Sequence, residues 1–76
     1  MSFLEINLKK LTHNYKSIRS LLEPRVKMIG VVKANAYGSA IDVIANKLVS
    51  LGIDALAVAY TKEGVALRRT GIQIPI

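Results

Sequence analysis

Hydrophobic spacing along this chain switches between two periods. Leu8, Leu11, Tyr15, Ile18 and Leu22 recur at three- and four-residue intervals, with Lys9, Lys10, Lys16 and Arg19 elsewhere on the wheel. That spacing predicts an amphipathic helix, which Pro24 stops. Ahead of it, Leu4 and Ile6 alternate with Glu5, predicting a short strand over residues 3–7 with Asn7 capping the helix. Residues 26–33 are apolar at both parities, the pattern of a strand buried on two faces in a parallel sheet. Ser39 and Asp42 form a capping-box-like start to a second helix, whose stripe of Ile41, Ile44, Ala45, Leu48 and Val49 ends at Gly52. Residues 53–60 predict a second two-faced strand. Thr61 then caps a third helix, with Glu63 in its first turn and Arg68 and Arg69 in its last, matching the helix dipole. Gly64 interrupts that helix at a cost of up to about 1 kcal/mol against alanine, which marks it as a place of close packing. Gly71 ends the helix, and residues 72–76 begin another strand.

From residue 26 onward, strands separated by helices imply an α/β fold with right-handed crossovers and a parallel sheet. The chain has 76 residues, near the lower limit for a self-sufficient core, and 51% of them are hydrophobic. It therefore carries more apolar surface than so short a chain buries alone. Lys33, Asp42, Lys47 and Asp54 interrupt every apolar run, which argues against a membrane span, and the first residues lack the order of a signal peptide. Cysteine is absent, so disulfide and thiolate chemistry are excluded, in keeping with a cytoplasmic protein. The net charge of +6 raises the question of nucleic acid, but the basic residues are scattered and not interleaved with aromatics for base stacking. No nucleic-acid, membrane or metal partner is expected.

The candidate chemistry sits at Lys33. It closes the run Met28-Ile29-Gly30-Val31-Val32 and opens the segment Ala34-Asn35-Ala36-Tyr37-Gly38. Alternation puts Ile29, Val31 and Lys33 on one side of the strand and Met28, Gly30 and Val32 on the other. Burial costs an ammonium its hydration, so a partly dry lysine at a strand end tends toward a neutral, nucleophilic amine able to form a Schiff base with a carbonyl. The alternative is a lysine that snorkels into water, and spacing alone leaves both open. Likewise Val31 either lines a ligand cavity or packs in a core, and Tyr37 either reaches a ligand or packs at a loop. His13, the single histidine, falls on the first helix without a partner to tune it and is expected to face solvent.

Val31-Val32-Lys33-Ala34-Asn35-Ala36-Tyr37-Gly38 resembles the cofactor-lysine motif of the bacterial alanine racemases. The similarity continues in order through Leu4-Glu5-Ile6-Asn7-Leu8, Leu11-Thr12-His13-Asn14-Tyr15, Ala57-Val58-Ala59, Glu63-Gly64, Leu67-Arg68, Gly71-Ile72 and Pro75-Ile76. The resemblance implies the start of a TIM-type (β/α)8 barrel, incomplete in this chain. Residues 1–76 are then the N-terminal part of a barrel domain that binds pyridoxal 5'-phosphate. Lys33 would hold that cofactor as a Schiff base and act as one of two bases that move the α-proton of alanine. Tyr37 would contact the cofactor phosphate and Val31 would line its cavity, while Asn35 would hold the loop through side-chain to backbone bonds. The whole enzyme would be a cytoplasmic homodimer interconverting L- and D-alanine, supplying D-alanine for peptidoglycan. Its second base would be a tyrosine from the C-terminal domain of the partner subunit, so this stretch alone is expected to be inactive. The family motif commonly continues Tyr-Gly-His-Gly, whereas this chain reads Tyr37-Gly38-Ser39-Ala40. That difference removes a histidine relay and restricts the backbone where the loop enters the helix. Other readings are a different barrel enzyme of the same cofactor such as an amino-acid decarboxylase, a non-enzymatic carrier of the cofactor, and a basic interaction module.

Overall fold

Ser2 starts the first element. Helix α1 (Phe3–Leu21) follows it in the computed structural model, which describes residues 2–33 and 40–76. The Ser2 hydroxyl accepts a hydrogen bond from Glu5 N at 3.1 Å, and Ile6 N donates to Ser2 O at 3.1 Å. The strand predicted over residues 3–7, and Asn7 as the cap of the helix after it, are therefore corrected: those residues are the first turns of the helix, and Ser2 is its cap. A Ser with Glu three residues on is a helix-start signature, and the 3–4 spacing continues upstream from Leu8, so a helix satisfies backbone groups that a lone strand would leave unpaired. At the other end the helix stops at Leu22, which is extended, two residues before Pro24.

Strand β1 (Ile29–Val31) pairs in parallel with β2 (Ala55–Ala57), Ile29 opposite Ala55, Gly30 opposite Leu56 and Val31 opposite Ala57. Pairing extends beyond the assigned strand, since Val32 N donates to Ala57 O at 2.9 Å. Both strands are shorter than the apolar runs that predict them. Helix α2 (Ala40–Leu51) joins them, giving the expected β–α–β unit. The predicted cap, Ser39, lies outside the described residues. The helix ends in a Schellman motif: Gly52 at φ +101° donates to Val49 O, and Ile53 N reaches Leu48 O at 3.1 Å.

Helix α3 (Thr61–Arg69) begins one residue earlier than the sequence suggests. The N-cap is Tyr60, in an extended conformation, whose N–H donates to Glu63 Oε1 at 3.1 Å; Thr61 is the first helical residue. Gly71, also at φ +101°, follows its end. Residues 72–76 do not form the strand predicted for them. They contribute one ladder-like bond, Leu56 N to Pro75 O at 2.9 Å, while Arg68 Nη1 donates to Ile72 O and Ile74 O at 2.9 and 2.7 Å. Pro75 has no N–H to extend the ladder, and the arginine has taken carbonyls that a strand would use.

The core is one cluster of Tyr15, Val32, Ala45, Leu48, Ile53, Leu56, Leu67 and Ile72, formed between the helices and one face of the sheet. Gly30 lies under Leu48, and a β-carbon there would come within 3.0 Å of Leu48 Cδ1. The other face of β1 is open, with Ile29 65% and Val31 66% exposed. Among the described residues no helix is long and apolar enough to cross a membrane.

Candidate functional site

The C-terminal end of β1 is where the sheet delivers its candidate chemistry. Val32 points into the core at 3% exposure, so the residues on either side of it face the other way. Val31 is exposed on that open side, and Lys33, one alternation further, is exposed as well. A depression of about 560 Å3 at this strand end is lined by Val31, Val32, Lys33, Ile41 and Ile44. Lys33 is the one charged side chain among these lining residues.

Two of the three predicted site residues are thus brought together, Lys33 and Val31. Tyr37, the third, lies outside the described residues, as does Asn35. The expected dryness of the amine is not found: Lys33 is exposed where a partly buried residue was expected. The physical reason is the uncovered face. Desolvation at a strand mouth comes from elements packed across it, and among the described residues nothing lies over Ile29 and Val31. Ile41 and Ile44 were read only as core stripe, yet they also wall the depression. Their signal was available, since the first turn of a helix that directly follows a strand-end loop flanks that strand end.

His13 is exposed on α1. No group of three or more candidate metal ligands occurs among the described residues.

Residues 6–76 match the family model described as alanine racemase, N-terminal domain. The chain belongs to the alanine racemase family. It is 45% identical over 73 residues to alanine racemase 2 of Caldanaerobacter subterraneus subsp. tengcongensis, covering 96% of this chain and 19% of that protein. The alanine racemase of Nostoc sp. is 40% identical over 75 residues, covering 99% of this chain and 19% of its own length. That of Thermodesulfovibrio yellowstonii is 45% identical over 75 residues, covering 95% and 21%. The chain thus spans about a fifth of the length of the curated relatives it matches, and it matches the N-terminal region of a family of isomerases. In this chain Lys33 follows β1 by two residues.

The described residues fit pyridoxal phosphate as far as they go. A primary amine, the group that condenses with an aldehyde, stands at the strand end beside the apolar Val31, with Ile41 and Ile44 opposite.

Proposed function

We propose that this chain supplies the first β/α units, residues 1–76, of a pyridoxal-phosphate barrel, and that the assembled protein racemises alanine. The observation that supports the reading is that Lys33 follows the C-terminal end of a parallel strand and lines one depression with Val31, Ile41 and Ile44. In barrels of this kind the inward side and the C-terminal strand ends are where catalytic groups collect. The family supports alanine as substrate and a homodimer as the working form.

Lys33 holds the cofactor through its Nζ and also takes or returns the α-proton of the substrate. Val31 and Ile41 exclude water from one side of the site, and Tyr37 contacts the phosphate. When bound, the cofactor withdraws electrons from the substrate α-carbon, which makes that proton removable. A base on the opposite face completes the exchange and comes from residues beyond these. The desolvation that makes a lysine nucleophilic is supplied by the rest of the barrel closing over Ile29 and Val31, since these positions are open here.

The test is chemical. The chain is mixed with pyridoxal phosphate, reduced with borohydride and mapped by peptide mass. Modification of Lys33 ahead of the other lysines is expected. Labelling spread evenly over the lysines, or absent from Lys33, overturns the reading. Racemisation by this chain alone is not expected, and turnover would overturn that part of it.

A further inference from the structure

A strand that is apolar at both parities carries little register information of its own. Sliding β1 by one residue against β2 in either direction would still present apolar side chains to the core, but it would turn Lys33 onto the helix-covered face. Lys27 and Lys33 oppose such a slip only at the two ends of the run, so the phase of Ile29-Gly30-Val31 needs a further selection. Gly30 does part of this by exclusion, because a larger residue in its place would meet Leu48. The positive selection lies three residues below Val31, at Met28.

There Asp54, the residue just before β2, grips Met28 from both sides. Its carboxylate Oδ2 accepts from Met28 N at 2.7 Å, and its own N–H donates to Met28 O at 3.1 Å, an oxygen that Ala55 N shares at 3.3 Å. Arg19 of α1 closes the arrangement. Its Nη1 lies 4.0 Å from Asp54 Oδ2 and donates to Val26 O at 2.7 Å, while Nη2 donates to Glu23 O at 2.6 Å. The end of α1, the connection into β1 and the start of β2 are therefore joined at one point. The ion pair is partly exposed and contributes little by itself.

We propose that Asp54 is a positioning residue: its clamp on Met28 sets the register of β1 and thereby the face on which Lys33 stands. This rests on the reading of Lys33 as the cofactor-bearing residue. The clamp holds main-chain atoms, so its selectivity comes from the connection behind it: a slip of one residue would bring Lys27 or Ile29 to Asp54 and stretch or slacken the segment that Arg19 holds at Glu23 O and Val26 O.

The test uses the whole chain with Asp54→Ala, Asp54→Asn and Asp54→Glu, each read in two ways. The first readout is the fraction of borohydride-fixed pyridoxal phosphate found on Lys33. The second is the NMR cross-strand contact between Ile29 and Ala55, with amide exchange at Met28. Losing the hydrogen bond in Asp54→Ala is expected to lower the ratio of native to slipped register by about tenfold, and the Lys33 fraction falls with it. Asp54→Asn keeps an acceptor and is expected to restore most of it. Asp54→Glu keeps the carboxylate but displaces it by one methylene, and is expected to fall between the two. It decides the matter should the alanine variant not fold. Native Ile29–Ala55 contacts and protected Met28 in both Asp54→Ala and Asp54→Glu would overturn the proposal. So would a loss in Asp54→Asn as large as in Asp54→Ala. The NMR readout needs no cofactor, so a wild-type chain that does not label at Lys33 defeats the cofactor reading while the register claim is still judged on its own contacts.

Discussion

At the scale of single residues, two neighbours in β1 illustrate opposite sensitivities. Gly30 sits where an added methyl group would approach Leu48 Cδ1 to 3.0 Å, closer than ordinary contact, and Leu48 is itself a core residue at 7% exposure. Gly30→Ala is therefore expected to cost about 1–3 kcal/mol through overpacking, read as a lower midpoint in urea unfolding. An unchanged midpoint would mean that Leu48 moves aside freely. Lys33 is the reverse case. Being exposed, it has little packing to lose, and Lys33→Ala is expected to leave stability within about 0.5 kcal/mol of wild type while abolishing selective labelling by pyridoxal phosphate. A large loss of stability would show that the side chain is structural. That Lys33 stands at the strand end near Val31 was legible in the sequence, because it directly follows the apolar run that forms β1. Its exposure was not, because burial at a strand mouth is decided by whatever packs across the open face and not by the local pattern.

At the scale of elements, the glycines separate backbone from side-chain effects. Gly71 has φ +101° and open space where a β-carbon would stand, so Gly71→Ala isolates the cost of a left-handed conformation, expected at about 1–2 kcal/mol. Gly64 lies inside α3, and its β-carbon would make only ordinary contact, 3.5 Å from both Ile76 Cγ2 and Val58 Cγ2. Gly64→Ala is accordingly expected to stabilise the chain, by up to about 1 kcal/mol, through helix propensity. Paired thermal melts check both signs, and a destabilising Gly64→Ala would mean that α3 packs more tightly against residues 58 and 76 than the 3.5 Å contacts suggest. The helix ends at Gly52 and Gly71 were readable because only a residue tolerant of positive φ stops a helix in that way. The N-terminal helix was misread for a definable reason: Leu4 and Ile6 also fit a two-residue period, and over so few residues alternation does not outweigh a Ser2–Glu5 start signal. The missing strand over residues 72–76 has a different cause. β-propensity there is high, but Arg68 occupies the carbonyls of Ile72 and Ile74, a tertiary contact that no local pattern announces.

At the scale of the whole molecule, two properties oppose each other. The open sheet face presents Ile29 and Val31 at 65% and 66% exposure beside a strand edge, the arrangement that favours association through apolar contact and edge pairing. Against it stands a net charge of +6, which makes two copies repel at long range. Salt weakens the second effect and not the first, since the screening length falls from about 30 Å at 0.01 M to about 8 Å at 0.15 M. Self-association of the chain is therefore expected to rise with ionic strength, measured by sedimentation at fixed protein concentration. The face responsible is identified by Ile29→Thr with Val31→Thr, which keeps β-branched residues suited to a strand while making the surface polar. The double variant is expected to lose the salt-dependent association while retaining the helical circular dichroism of the wild type. If association instead falls as salt is added, charge attraction is its source and the open face is not. If the double variant associates as before, the contact surface lies elsewhere, and the uncovered side of β1 would lose its standing as the side that the rest of a barrel closes over.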